Sequence, residues 1–276
     1  MRALSITALA ELGAISPLSP HAAHYQLNQS YNSAMDEALQ KVSQLISEYA
    51  VQELQKQFER IKQTPGGDRI LKRIATSPDK EQLEDYLAEI RYALVFAGLG
   101  FRIEIEPSGS KGPDLKVSRD GHCSIVEITR FRKVHPGPPA LDLSDENAVL
   151  AEYGNPPRDI RKSFGKILKK FPQVGNEQAI IAIWNDDGDI EDLEVKTAVA
   201  DLLRDESQRI LSLPSGLSFV LYGSTWVRAG DHKQLYCFPL CHPDQAHQVS
   251  WQHELEAATV RGLIQRALTT RSPRRV

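Results

Sequence analysis

The spacing of apolar residues predicts long helices in the first third of the chain. From Ser33 to Gln63, apolar side chains recur every three or four residues, which is typical of one face of an amphipathic helix. Pro65-Gly66-Gly67 ends this helix, and a short helical segment follows at Arg69 to Ala75. Ser77-Pro78-Asp79 predicts the capped start of a second long helix that runs to about Ala97. The first helix is long enough to form a homodimer seam, and packing on its own domain is the alternative.

After Gly98-Leu99-Gly100 the pattern changes to alternation, which predicts strands. Apolar and charged residues alternate from Phe101 to Glu106. The segments Leu115 to Ser118 and Ser124 to Phe131 form a predicted hairpin, because Asp120-Gly121 between them is a strong signal for a two-residue turn.

The rest of the chain alternates helices and strands. Arg132 to Asn155 has no clear period and is rich in proline, glycine and aspartate, which predicts a long loop. The predicted elements beyond it are helix Arg158–Phe171, strand Ala179–Trp184, helix Asp192–Arg204, strands Ser218–Tyr222, Thr225–Arg228 and Gln234–Phe238, helix Glu254–Leu268 and a basic tail at Arg271–Val276. This order predicts an α/β fold, a mixed sheet flanked by helices. We divide the chain into an N-terminal helical region (1–77), a core (78–240) and a C-terminal helix with a basic tail (241–276).

Composition narrows the class of protein. The 276 residues are 41% apolar and 25% charged, which is typical of a globular chain. The formal charge of -3 provides no global basic field, so any site for a polyanion must be local. The apolar runs are shorter than the roughly 20 residues of a membrane helix, so we expect no membrane partner. Three cysteines argue against a disulfide framework and predict a reducing compartment, the cytoplasm.

The predicted hairpin places two carboxylates opposite each other. With Asp120-Gly121 as the turn, Arg119 faces His122, and five residues further along each strand Asp114 faces Glu127. Facing Cβ atoms lie roughly 4.5 to 5.5 Å apart in an antiparallel pair. Because like charges at that distance destabilise the sheet, a cation is expected between them.

Such a pair suits a metal ion. Asp114, Glu127 and a backbone carbonyl such as that of Ile128 are the hard oxygen ligands that Mg²⁺ or Mn²⁺ prefers. A bound ion of this kind can activate water at a phosphodiester. The alternative is that Asp114 caps its strand and Glu127 lies on a solvated sheet face.

The residues around this pair resemble a nuclease signature. Gly112-Pro113-Asp114-Leu115-Lys116-Val117, a short hairpin and Ile125-Val126-Glu127-Ile128-Thr129 are similar to the motif of the PD-(D/E)XK nuclease superfamily. The resemblance covers about Glu84 to Trp184 and implies a restriction-endonuclease-like core with an N-terminal helical extension. It also implies Mg²⁺- or Mn²⁺-dependent hydrolysis of nucleic acid, DNA more than RNA. Glu89 matches the acidic residue that the superfamily's first core helix often directs at the metal.

One position departs from the family pattern. Thr129 stands where the superfamily usually has a lysine that orients the attacking water and stabilises the transition state. Lys116, on the strand face of Asp114, could supply the missing charge. The helix after the motif also carries basic residues on one side: Arg158, Lys162, Lys166 and Lys169. Lys166 is the first choice among them. The alternative is a nuclease-like scaffold without hydrolytic activity that binds nucleic acid or another protein.

A local basic surface is predicted beside the motif. The bend Arg130-Phe131-Arg132-Lys133 adds three positive charges directly after Thr129. Together with Lys116, Lys162 and Lys169, these residues would contact the phosphates of a nucleic acid despite the net negative charge. A solvated run of charges is the alternative interpretation.

Overall fold

A computed structural model describes residues 34–44, 48–109, 112–132, 156–174, 177–185, 190–224, 235–240 and 246–258. The helices are α1 (residues 34–43), α2 (Glu48–Lys62), α3 (Gly67–Ala75), α4 (Lys80–Gly98), α5 (Pro156–Val174), α6 (Asp192–Ser207) and α7 (Ala246–Ala257). The strands are β1 (Arg102–Ile105), β2 (Leu115–Arg119), β3 (His122–Phe131), β4 (Ala179–Asn185), β5 (Leu217–Ser224) and β6 (Leu235–Pro239).

The strands form one mixed sheet in sequence order, β1 to β6. The first three strands are antiparallel, β3, β4 and β5 run parallel, and β6 returns antiparallel to β5. The two faces of the sheet bury separate apolar clusters, one under α1 to α4 and α7, the other under α5 and α6. The predicted mixed sheet flanked by helices is therefore confirmed.

The N-terminal helices are part of the core. The prediction of one helix over residues 33–63 is wrong, because α1 ends at residue 43, residue 44 lies in a turn and α2 starts at Glu48. Val42, Phe58 and Ile61 are buried in the cluster that covers the sheet. The apolar face that suggested a dimer seam is thus used within the chain. The boundary proposed after residue 77 falls inside this continuous core.

The connection between α2 and α3 is docked on the end of β1. Gly66 has a φ of +85°, and a Cβ atom there would lie 1.8 Å from the carbonyl oxygen of Ile105. The Ile105 N–H donates to the carbonyl of Pro65 at 2.8 Å, and Arg69 donates to the Ile105 carbonyl at 2.9 Å. Only glycine allows this approach, so α3 is held against the strand that leads to the predicted site.

Other boundaries differ from the predicted ones. Helix α5 continues through Pro172 to Val174, beyond the predicted end at Phe171. Helix α7 begins at Ala246, before the predicted start at Glu254. The predicted strand Thr225–Arg228, most of the predicted loop and the basic tail lie outside the described residues. Within the described part of the chain, every helix is too short or too polar to cross a membrane.

Candidate functional site

The hairpin has the predicted register. Arg119 pairs with His122 and Leu115 pairs with Val126, so Asp114 lies one residue beyond the ladder, at the level of Glu127. The two turn residues have φ values of +53° and +80°, the combination of positive angles that a type I′ turn requires. The local turn chemistry therefore sets the position of both carboxylates.

Strand β3 is longer than its neighbour, and this leaves a notch in the sheet. The pairing of β2 ends at Val126, whereas β4 pairs with β3 as far as Phe131. Asp114 fills the place of the missing strand, because its Oδ2 accepts a hydrogen bond of 2.6 Å from the N–H of Ile128. Since the N–H and C=O of a strand residue point toward the same neighbour, the Ile128 carbonyl is directed into the notch as well.

A cavity of about 400 Å³ opens at this notch. The side chains around it come from α3, α4, β3, α5 and the start of β2, and include Arg73, Glu89, Asp114, Thr129, Lys166 and Lys170. Most of the groups that line it are charged or polar. It therefore suits a charged ligand better than an apolar one.

Lys170 supplies an ammonium to the facing carboxylates. Its Nζ atom lies 3.1 Å from Glu127 Oε2 and 3.6 Å from Asp114 Oδ2. The Lys170 and Asp114 side chains are about one-fifth exposed and line the cavity, whereas Glu127 is buried behind them. The three charges form one cluster at the floor of the notch.

Lys170 neutralises the negative charge of Glu127 only in part. Burial, and after it the charge of the nearby Asp114 carboxylate, raises the pKa of Glu127 from 4.5 to about 7. The hydrogen bond and the charge of Lys170 act in the opposite direction. Near neutral pH this carboxyl group is therefore poised between its two protonation states.

Glu89 enters the same cavity from α4. It is 7% exposed, and its Oε2 has no hydrogen-bond partner among the described residues. Burial raises its pKa well above the usual range and Asp114 adds to the shift, while Arg73 and Lys170 oppose it. An unpartnered buried carboxyl oxygen has unused capacity to accept a proton or a cation.

Lys166 and Thr129 also line the cavity. Burial lowers the pKa of Lys166, and the nearby Arg132 guanidinium lowers it further. No ion pair joins Lys166 to a carboxylate among the residues that the structure covers, whereas Lys170, one helical turn further on, contacts two. The lysine closest to the carboxylate pair is thus Lys170 rather than our first choice, Lys166.

The predicted role of Arg130 in nucleic-acid contact is not supported by its position. Its side chain is 2% exposed and lies against α4, where it pairs with Glu81 at 2.7 Å, Glu84 at 2.9 Å and Asp85 at 3.2 Å. Three carboxylates therefore neutralise this guanidinium. Arg132 is half exposed and is also paired with Asp85.

The remaining basic residues are dispersed. Lys116 is exposed next to Glu104 on β1, beside a second depression rather than the cavity. Lys162 lies 5.5 Å from the ring centre of Phe131, and Lys169 is exposed on α5. Lys133 lies outside the described residues. The predicted basic surface is thus not a single patch in the part of the chain that the structure describes.

Sequence reasoning missed two of the basic residues at the cavity, Lys170 and Arg73. Lys170 continues the four-residue spacing of Lys162 and Lys166, so this spacing carried to the end of α5 would have identified it. Arg73 precedes the region of resemblance and gave no signal of its own.

Comparison with protein-family models, curated proteins and solved structures gave no match to this chain. The described residues also contain no group of three or more histidine, cysteine, aspartate or glutamate side chains arranged to hold a metal ion. We therefore infer the function from the chemistry of the cavity.

Proposed function

We propose that this protein is a metal-dependent nuclease that hydrolyses phosphodiester bonds, with DNA the preferred substrate over RNA. The observation that carries the proposal is the position of Lys170, whose ammonium lies within 4 Å of both facing carboxylates. A nuclease of the PD-(D/E)XK type needs a cation at this place, and Thr129 cannot provide one. Helix α5 provides it from the opposite side of the cavity.

The order of elements supports the same proposal. The series α4, β1, β2, β3, α5, β4, with an antiparallel hairpin followed by a parallel strand, agrees with the order that the resemblance implies. On this basis we propose that the sheet belongs to the restriction-endonuclease-like class. The cytoplasmic location that we propose rests on the cysteine content of the chain.

The residues of the notch fit a divalent cation. Mg²⁺ commonly binds through one or two carboxylates and keeps several water ligands, so a protein cluster of three or more ligands is not required. Asp114, Glu127 and the carbonyl of Ile128 would hold the ion, and Glu89, with its unpartnered oxygen, would assist through water. When bound, Mg²⁺ or Mn²⁺ would activate water and neutralise charge on the phosphate.

The chain's own residues have separate tasks in this proposal. Lys170 orients the attacking water and stabilises the added negative charge of the transition state. Thr129 presents a hydroxyl to the same space, and Lys166 holds a substrate phosphate at the cavity wall. Fixed donors of this kind favour the transition state over the bound substrate.

A second candidate is a nuclease-like scaffold without hydrolytic activity that binds nucleic acid or another protein. It is favoured by the direct ion pairs of Lys170, which already neutralise part of the carboxylate charge, and by Thr129 at the position of the motif lysine. The two candidates differ in whether phosphodiesters are cleaved.

Purified protein incubated with plasmid, single-stranded DNA or RNA in Mg²⁺, Mn²⁺ or chelator separates them. We expect metal-dependent cleavage that Asp114→Asn, Glu127→Gln and Lys170→Met each reduce by about 100-fold or more. Lys196→Met changes an exposed lysine on α6 that does not line the cavity, so this control variant should cleave normally. Cleavage that survives both carboxylate substitutions would refute the site, and nucleic-acid binding without cleavage in any metal would favour the scaffold.

A further inference from the structure

The cavity receives one cation from outside the region that resembles the nuclease core. Arg73 lies on α3, in the N-terminal helical region, and its side chain is 33% exposed at the cavity wall. The tight docking of α3 at Gly66 brings this side chain to the site. Its position is therefore a consequence of the fold and not of a flexible surface helix.

The Arg73 guanidinium is held in place from two directions. Its Nη1 is paired with the buried carboxylate of Glu106, and its central carbon lies 4.3 Å from the ring centre of Tyr86. Gln82 fixes that ring by donating to the Tyr86 hydroxyl at 2.7 Å. A guanidinium has five N–H donors, and among the described residues Glu106 is the one carboxylate within ion-pair distance of Arg73, so donors remain for a ligand.

The other guanidinium groups and one of the lysines at the cavity are already engaged. Arg130 has three carboxylate partners, Arg132 is paired with Asp85, and Lys170 with Glu127 and Asp114. Burial lowers the pKa of Lys166, and its ammonium lacks the planar fork of donors that a guanidinium presents. Arg73 is thus the guanidinium at this cavity with the greatest unused capacity to bind an anion.

An anionic substrate needs such a group. The carboxylates at the cavity wall belong to Asp79, Asp85, Glu89 and Asp114. A phosphodiester strand that enters between them is repelled unless fixed donors face its phosphates. A planar guanidinium is suited to this task, because it donates two parallel hydrogen bonds to one phosphate.

We infer that Arg73 binds a backbone phosphate of the substrate next to the one that is cleaved, so that the N-terminal helical region forms part of the substrate site. This inference rests on the proposed nuclease function. It gives Arg73 a binding role and leaves the chemistry to Asp114, Glu127 and Lys170. Tyr86 and Glu106 act through Arg73 as positioning residues.

Arg69 provides a matched control. It lies on the same helix, its Nε is 3.7 Å from the Glu106 carboxylate, and it donates to the carbonyl of Ile105, but it does not line the cavity. If Arg73 served only to hold the connection after β1, substitution of either arginine would have the same effect on ligand binding.

The test measures binding of a fluorescent oligonucleotide by full-length Glu127→Gln protein over a range of salt concentrations. We expect Arg73→Gln to raise Kd about 10-fold. The slope of log K against log salt should become shallower by about the amount that one phosphate contact contributes. If Arg73 had a purely structural role, its replacement would leave this slope unchanged. Arg73→Lys should keep the slope and weaken binding less, and Arg69→Gln should bind like the parent.

Three outcomes overturn the inference: an unchanged salt slope in Arg73→Gln, equal losses in Arg69→Gln, or no binding by the parent protein. Thermal melting shows whether a variant is folded. If Arg73→Gln is unfolded, Arg73→Lys serves as the test variant in its place. Cleavage assays separate the two proposals. If the wild-type protein cleaves DNA and Arg73→Gln binds normally, only the role of Arg73 is refuted. If binding depends on Arg73 but the wild-type protein does not cleave, only the nuclease proposal is refuted.

Discussion

Replacing Glu127 by glutamine removes a buried negative charge while it keeps the shape of the side chain, and we expect a more stable protein at alkaline pH. The carboxylate is 2% exposed and has one cationic partner among the described residues, Lys170, which it shares with Asp114. Its ionised form is therefore disfavoured in the folded protein. Glutamine resembles the protonated form and does not carry this cost.

The pKa of Glu127 sets the size of the effect. Burial and Asp114 raise it from 4.5 to about 7, and this rise corresponds to about 3 kcal/mol of folding free energy above pH 7. Between about pH 4.5 and pH 7 the folded state binds more protons than the unfolded chain, so stability falls as the pH rises. Below that range both states are protonated, and the difference between wild type and variant disappears.

Chemical denaturation of metal-free protein at pH 5 and pH 8 measures this difference. We expect Glu127→Gln to be about 2 to 3 kcal/mol more stable than wild type at pH 8 and more stable by less than about 1 kcal/mol at pH 5. Glu177→Gln changes an exposed carboxylate and should remain within about 0.5 kcal/mol at both pH values. A variant less stable than wild type at pH 8, or a gain that does not depend on pH, would refute the reasoning.

Three further predictions concern the metal and the fold. Because Glu127 must lose its proton to bind a cation, Mg²⁺ affinity measured by calorimetry should fall as pH drops below about 7, and Glu127→Gln should lose that dependence. Gly66→Ala should lower the free energy of unfolding in urea by more than about 3 kcal/mol, because its Cβ would lie 1.8 Å from a carbonyl oxygen. Gly100→Ala, at a similar φ but in open space, should lower it by about 1 to 2 kcal/mol. Arg130→Met should lower the free energy of unfolding by about 2 kcal/mol, since it leaves three carboxylates without their shared cation, and Arg132→Met, at a half-exposed position, by less than about 1 kcal/mol. Melting curves that reverse the order of the two glycine variants, or of the two arginine variants, would contradict the assigned contacts.

The hairpin could be predicted because its information is local. Two turn residues fix the register, and the register places Asp114 opposite Glu127 without knowledge of the rest of the fold. Helix α4 was predictable for the same reason, because Asp79 caps it by accepting from the N–H of Gln82 at 2.8 Å.

The choice of lysine could not be made from local signals. Lys166 and Lys170 lie on the same face of α5, and the distance of each from the sheet depends on where the helix docks. Docking is set by the side chains that fill the space between helix and sheet, and the pattern of one helix does not specify it.

The error at Arg130 has a different cause. Alternation puts Arg130 on the same face of β3 as Val126 and Ile128, which is the face covered by α4. Glu81, Glu84 and Asp85 on α4 have the three- and four-residue spacing that presents one side of a helix to it. Reading strand and helix together would have predicted a buried ion cluster in place of a phosphate contact.

Strand β3 places the positive charge of Arg130 on one face of the sheet and the negative charge of Glu127 on the other. The two charges differ in how fully nearby groups of opposite charge neutralise them, and this explains why only the Glu127 face is a candidate site. On the α4 face, Arg130 is surrounded by three carboxylates and is saturated. On the α5 face, Glu127 shares one ammonium with Asp114, and its pKa stays near 7 in spite of that partner. A saturated cluster has no affinity left for a ligand, whereas an under-compensated pair of carboxylates attracts a further cation. The electrostatic balance thus favours Asp114 and Glu127 as the place of the proposed metal, and a structural role for the charges around Arg130 on the other face of the same strand.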